Sequence, residues 1–328
     1  MNKRRETAAL LLAVLLFGAL TWCAAWLLMP VRTQYGSDWE QFLQEDAGSC
    51  DVLLFGSSLV YCDVAPAFLW EETGLSAYVL AGPEQTIPTS YYYARQAFET
   101  QSPQLVVLEA TGMFYPRYTN YTKANIGYMP MGRSRLAATF FAAEREERFG
   151  LLFPLYNYHY RWQDATAEDL SGHLFPSAGL TAGYTLLTEH CPPPQQQVRD
   201  YTASGDNYRR NLTYVEKLRD LCADRGAQLL LYIAPSAGKI PADALNTLER
   251  DLTVRGVALA DFNNELPRMG IDDSADWYDF LHFNLRGAEK FTRFLAGWLE
   301  ERYGLEPKGC DAALWQRRLD HLNSALHN

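Results

Sequence analysis

Apolar and polar positions fall into two patterns along this chain. The first is one unbroken apolar run at 8–29, 22 residues without a charge. As a helix rising ~1.5 Å per residue it spans roughly 33 Å, enough for one crossing of a bilayer core. The second is a series of short apolar runs, at 51–55, 77–80, 105–108, 229–233 and 257–260. A short run that is largely apolar, without alternation, predicts a strand buried on both faces, as in a parallel sheet. Stretches of helical character lie between them, among them 86–100 and 207–224. Strands alternating with helices predict an α/β domain with a mostly parallel five-stranded sheet and right-handed crossovers.

The ends of the chain follow the same logic. From Leu285 onward, Ala288, Phe291, Leu295, Trp298 and Leu299 share one helical face that should pack on the sheet. Beyond Pro307, Trp315, Leu319, Leu322 and Leu326 fall at helical spacing and predict a short tail helix. Residues 30–48 read as a polar juxtamembrane segment with one helical patch at Trp39, Phe42 and Leu43. The gap between the third and fourth strands is too long for a single crossover, so about 113–206 is expected to be an insertion. It is rich in Tyr, Phe and Pro, and Pro192, Pro193 and Pro194 followed by three glutamines predict a stiff linker within it. The expected organisation is a stub and anchor at 1–30, a juxtamembrane segment at 31–50, the α/β domain at 51–303 and a tail at 304–328. No internal repeat is found.

Charge gives the first run an orientation. Lys3, Arg4 and Arg5 precede it, and basic residues before a first span keep the amino terminus in the cytoplasm and send the rest outside. The alternative is a cleaved signal peptide. The run is long for that, and no clear small-x-small site follows it. Trp22 also stands where a lipoprotein site at Cys23 needs a small residue. The expectation is therefore one uncleaved helix in the lipid bilayer. The formal charge is −10, which argues against a sequence-independent nucleic-acid binder. Residues 1–6 hold three basic groups and one acidic group, so the remainder carries −12 and no polybasic lipid-binding face is indicated. Five cysteines lie beyond the anchor, an odd number, and their pairing cannot be read. Cys50 and Cys62 bracket a predicted strand, which holds them beyond disulfide reach. No zinc-type spacing, phosphate loop or convincing dinucleotide fingerprint is present, so neither metal nor cofactor is expected.

Two places carry candidate chemistry. The first strand ends in Phe55-Gly56-Ser57-Ser58-Leu59. In open α/β sheets, ligands sit outside the carboxyl ends of strands, and Gly56 permits a tight turn there. That places a serine well for a nucleophile; read alone, the same residues make a loop with a helix cap. The second place is Asp279-Phe280-Leu281-His282-Phe283-Asn284, just before the last long helix. A carboxylate three residues before an imidazole, on a turn into a helix, can hold Nδ1–H and leave Nε2 to take a serine proton. Read alone, this is an Asp-based turn beside a surface histidine.

Together the two places resemble the SGNH/GDSL hydrolase family. Gly56-Ser57-Ser58-Leu59 is similar to the family's Gly-Asp-Ser-Leu, with Ser57 in place of aspartate; Asp279-x-x-His282, followed by Asn284 and Gly287, is similar to its last block. The resemblance covers most of 51–303. It implies a three-layer, flavodoxin-like sandwich in which Ser58 is the nucleophile, His282 the base and Asp279 its orienting carboxylate. It implies an oxyanion site formed by the backbone N–H groups of Ser58 and Gly82. The family's third block supplies an asparagine, whereas this chain has Glu109-Ala110-Thr111-Gly112. Either Thr111 or another group substitutes as donor, or the site is slow or degenerate; losing one such donor costs about 3 kcal/mol of transition-state stabilisation. The anchor and the Gly-Ser-Ser block also resemble the SGNH-like proteins that accompany membrane-bound O-acyltransferases, such as the D-alanyl transfer protein and the alginate acetylation proteins. That implies an extracytoplasmic esterase or O-acyltransferase acting on a cell-envelope glycan or exopolysaccharide, with a membrane-bound O-acyltransferase as partner. The alternatives are a catalytically silent glycan-binding or assembly component, and a lipid esterase with an apolar groove near Ser58.

Three further features need a reading. The run Tyr156 to Trp162, with Tyr158, His159, Arg161 and Trp162, suits sugar stacking and anionic contacts, or else forms the insertion's own core. Tyr91, Tyr92 and Tyr93 lie on a predicted helix, point in different directions and are expected to pack. Glu109, on the catalytic side of the third strand, is expected to pair with an arginine rather than tune the site.

Overall fold

Every residue of the first three apolar runs is buried, as a strand covered on both faces requires. The computed structural model describes residues 3–29, 35–36, 38–164, 166–191 and 195–327. Its main sheet contains β1 (Val52–Gly56), β2 (Ala77–Ala81), β3 (Leu105–Glu109), β4 (Gln228–Ile233) and β5 (Ala258–Asp261). The strands run in the order β2-β1-β3-β4-β5 and every pair is parallel. The principal helices are α1 (Lys3–Leu28), α2 (Ser58–Tyr61), α3 (Pro66–Thr73), α4 (Ile87–Ala97), α5 (Gly205–Asp224), α6 (Ala242–Thr253), α7 (Leu285–Tyr303) and α8 (Ala312–Leu326).

Alternation along each strand sends neighbouring side chains to opposite layers. Leu53, Phe55, Val106 and Leu108 meet Tyr93 of α4, Val215 of α5 and Leu248 of α6. Val52, Leu54, Val107 and Leu230 meet Phe68 of α3, Phe291 of α7 and Leu322 of α8. The result is the parallel five-stranded α/β domain that the strand pattern predicts, with helices on both faces of the sheet. Each such side chain contributes roughly 1.5–3 kcal/mol on burial, so β1, paired on both edges and covered on both faces, is firmly placed, and with it what its carboxyl end carries.

Both flanks of the domain join this core. Asp38 caps a short helix at Trp39–Phe42 by accepting from the N–H groups of Glu40 and Gln41 at 3.0 and 3.2 Å. Trp39 and Phe42 are buried, and the Phe42 ring lies 5.0 Å edge-on from Tyr78 of β2. At the other end, Arg318 of α8 is fully buried, ion-paired with Glu45 and donating from Nε to the Gly179 carbonyl at 2.9 Å. Cys23, Cys50, Cys62, Cys222 and Cys310 are free thiols.

The insertion is a set of short helices and 3₁₀ turns, including Thr122–Tyr128, Arg133–Phe141, Arg148–Leu152, Pro154–Tyr158, His159–Gln163 and Ala167–Leu174. The three prolines of the predicted stiff linker, 192–194, lie outside the described residues. Just after them, Gln197–Val198 pairs with Gly238–Lys239 in a two-residue parallel ladder that ties the end of the insertion to the loop after β4. Among the described residues, α1 is the one helix long and apolar enough to cross a membrane, with a mean hydropathy of 2.3. Its last turns rest on the middle of the insertion.

Candidate active site

The site begins where β1 ends. Gly56 has φ +148°, and a Cβ there would stand 2.7 Å from Glu109 Cβ and 2.8 Å from Val60 Cγ2. Only glycine lets the strand turn this sharply against β3. Ser57 caps α2, its Oγ accepting from the Leu59 N–H at 3.4 Å and donating to Glu109 Oε2 at 3.3 Å. Ser58 is therefore the first residue of α2, held at the carboxyl edge of a central strand.

His282 reaches it from a loop that is itself tied down. Asp279 Oδ1 accepts from the N–H groups of Leu281 and His282 at 2.7 and 2.8 Å, closing an Asp-based turn. Its other oxygen lies 2.8 Å from His282 Nδ1, and His282 Nε2 lies 2.7 Å from Ser58 Oγ. The Phe283 N–H donates to Asp63 Oδ1 at 2.9 Å, which links the loop to the end of α2. Asn284 caps α7 by accepting from the Arg286 and Gly287 N–H groups, and its Nδ2 donates to the Ala275 carbonyl at 2.7 Å. At Gly287 a Cβ would come within 2.3 Å of the Asp276 carbonyl, so loop and helix can touch only if this residue has no side chain. Asn284 and Gly287 thus build the loop and take no part in chemistry.

Electrostatics favour one protonation pattern. Burial works to raise Asp279, but the hydrogen bond and charge of His282, with the two backbone N–H groups, hold it below the usual carboxylate range. The ionised carboxylate fixes the proton on Nδ1 and leaves Nε2 with its lone pair facing Ser58 Oγ.

Glu109 is buried and accepts from the Thr111 N–H at 2.7 Å on Oε1 and from Ser57 Oγ on Oε2. Burial pushes it up to about 7, with the hydrogen bonds from Thr111 and Ser57 working against that rise. The expected arginine partner is not there: no cation pairs with Glu109 among the described residues. Asp63 is likewise buried and is pushed well above the usual range by burial; its Oδ2 has no hydrogen-bond partner among the described residues.

The oxyanion donors come out differently from the expectation. The Ser58 N–H, first of its helix, has no protein acceptor among the described residues. The Gly82 N–H instead donates to the Gly56 carbonyl at 3.2 Å, because residue 82 extends the β1–β2 ladder by one step. The Thr111 N–H is committed to Glu109, and its hydroxyl also acts on that carboxylate. One of the three expected donors is thus open.

Ser58 and His282 open on a cleft of about 490 Å³, whose wall includes Tyr61, Tyr115, Tyr121, Arg199, Tyr201 and Ser236. The Arg199 guanidinium lies 5.5 Å from the centre of the Tyr201 ring, which stacks on Phe114 at 5.3 Å. None of these residues was expected from the sequence. Arg199 and Tyr201 reach the cleft through the two-residue ladder, too short to leave a periodic signal. Only the two ends of the insertion border the cleft. Tyr158, His159, Arg161 and Trp162, the expected substrate contacts, are not part of its wall. They lie in the middle of the insertion, where Arg161 Nη1 donates to the Leu28 carbonyl at 2.9 Å and Trp162 is 68% exposed. Tyr91, Tyr92 and Tyr93 pack as expected, with Tyr91 and Tyr92 edge-on to Tyr214.

No family model matches the chain, and no curated protein matches it. Solved structures are similar at low identity. A candidate acylhydrolase of Bacteroides fragilis is 11% identical, covering 81% of this chain and 99% of its own, at a TM-score of 0.39. The acetylxylan esterase of Geobacillus stearothermophilus is 11% identical, covering 80% of this chain and 97% of its own, at a TM-score of 0.34. A mutant of that esterase gives 12%, with the same coverages, at 0.35.

Proposed function

We propose that this chain is a membrane-anchored serine esterase or O-acyltransferase of SGNH type, acting outside the cytoplasm on acyl groups of a cell-envelope glycan. One observation carries the chemistry: an unbroken Asp279–His282–Ser58 relay, 2.8 and 2.7 Å long, facing an open cleft. Ser58 Oγ attacks the acyl carbonyl as its proton passes to His282 Nε2. The Ser58 N–H supports the developing oxyanion. His282 returns the proton to the departing alkoxide, leaving an acyl group on Ser58. Water or a second sugar hydroxyl, deprotonated by His282, then takes the acyl group. The tyrosines and Arg199 of the cleft suit a sugar chain, through stacking on rings and hydrogen bonds from the phenols and guanidinium. The basic residues in the first turn of α1 support an external domain, and a membrane-bound O-acyltransferase is the partner that would supply acyl groups there.

A second reading, a catalytically silent glycan-binding component, rests on the commitment of the Gly82 and Thr111 N–H groups, which leaves the oxyanion site one open donor. Labelling of the detergent-solubilised full chain with a fluorophosphonate separates the two. The enzyme reading expects a single adduct on Ser58 that His282→Ala abolishes. Retained polysaccharide binding with no adduct on Ser58 would overturn it in favour of the second.

A further inference from the structure

We propose that the middle of the insertion is a membrane-interface collar, whose exposed aromatic rings seat in the headgroup layer of the bilayer beside α1.

The end of α1 fixes where that layer lies. Arg161 Nη1 donates to the Leu28 carbonyl, and His173 Nε2 lies 3.0 Å from the Met29 carbonyl, so two insertion residues serve the open carbonyls of the apolar helix. The Trp26 and His173 rings stand 4.6 Å apart. Trp22 and Trp26 mark the last two turns of α1, the positions where tryptophan collects at a membrane surface. Whatever flanks this end of the helix sits at the same depth.

The flanking elements expose apolar rings. Phe149, Phe153 and Tyr156 form one cluster, with Phe149 5.0 and 5.2 Å from the other two. Each is more than half exposed, as are Trp162 and Phe175. A fully buried ring of this kind removes about 150–250 Å² from water, so the three clustered rings alone, each more than half exposed, leave an apolar patch of the size that often marks a contact site on a soluble monomer. An apolar groove of about 190 Å³ continues this surface between α1 and the domain, lined by Trp22, Trp26, Trp39 and Met131 among others. The occupant is lipid rather than glycan: phenylalanine predominates in the patch and offers no polar group to a sugar, and the Ser58 cleft is bordered by other residues. Residues 133–175 hold five basic and six acidic side chains, so the attachment is apolar and does not depend on anionic lipid.

The test uses the full chain in phosphatidylcholine vesicles. A photoreactive benzophenone amino acid is placed at Phe153, Trp162 or Phe175, with Val254 at an exposed site of the α/β domain and Leu15 inside α1 as references. After irradiation, lipid adducts at 153, 162 and 175 are expected at least tenfold above those at 254, with the same yield when a third of the lipid is phosphatidylglycerol. Adducts at 15 but none above background at the other three sites would overturn the collar while leaving the anchor standing. Cross-links to a second copy of the chain in place of lipid would overturn it as well. Absence of adducts at 15 would remove the anchor, and the collar with it.

Discussion

A serine hydroxyl becomes a nucleophile only when its proton has a destination, and at Ser58 that destination is one nitrogen whose partner ring atom is held by Asp279. In the proposed chemistry the three groups act as a unit. Ser58→Ala or His282→Ala is expected to lower kcat by roughly 10⁴-fold or more, and the double variant by no more than either alone. Steady-state hydrolysis of an activated acetyl ester checks this, and additive losses in the double variant would count against a shared relay. Asp279→Asn keeps the turn but disturbs the tautomer, and about 10³–10⁴-fold is expected. Glu109 gives a prediction for stability. Its folded-state proton affinity is raised to about 7, above the ~4.3 of an unfolded glutamate. Between these values the folded state holds the extra proton, so stability falls as pH rises through the window and levels off above it. The size is on the order of 3 kcal/mol. Glu109→Gln keeps an acceptor for Thr111 and should flatten this dependence; chemical denaturation at pH 5 and pH 8 compares the two proteins. At this scale the strand-end serine and the Asp-based turn were legible from local rules, and the pairing of Ser58 with Asp279 and His282 only from the resemblance of the two blocks taken together. Gly82 and Thr111 were not, because the destination of an N–H depends on a strand or carboxylate far away in sequence.

The elements that hold these residues are as specific as the residues. The turn from β1 into α2 needs Gly56 twice over, for its positive φ and for the 2.7 Å approach of Glu109 Cβ. Gly56→Ala should cost at least about 2 kcal/mol from strain and overpacking together, read as a drop in the denaturation midpoint with an unchanged slope. The histidine loop depends on Asp63, which follows α2 and accepts from Phe283. Asp63→Asn preserves that acceptor and should leave kcat within a few-fold. Asp63→Leu removes it from a buried N–H, costing roughly 1–3 kcal/mol, and lets His282 move away from Ser58. If the leucine variant kept full activity, the tie between α2 and the loop would not position the histidine. The five strands and the long helices were legible in the sequence, since burial on two faces leaves a short apolar run and burial on one face leaves a stripe. The ladder at Gln197–Val198 and the cleft residues it delivers were not, because two paired residues make no pattern.

Across the whole molecule, the segment that follows α1 and the last helix of the chain are joined through a buried ion pair. Glu45 and Arg318 are 273 residues apart, and their side chains are 5% and 0% exposed. Two buried charges attract strongly at low dielectric, but removing them from water offsets most of that gain, so the pair adds little net stability while its separation is costly. Arg318→Met leaves a buried carboxylate uncompensated and should destabilise by about 3–5 kcal/mol. Glu45→Gln combined with Arg318→Met removes both charges and should recover a substantial part of that loss, a coupling that distant independent sites would not show. Equilibrium denaturation of the detergent-solubilised full chain, with wild type, both single variants and the double, closes the cycle. Since Trp39 and Phe42 lie in the same core as β2, the loss should appear as cooperative unfolding of the α/β domain. Fraying confined to α8, with the remaining transition unchanged, would show instead that the tail helix is an appendage of the α/β domain.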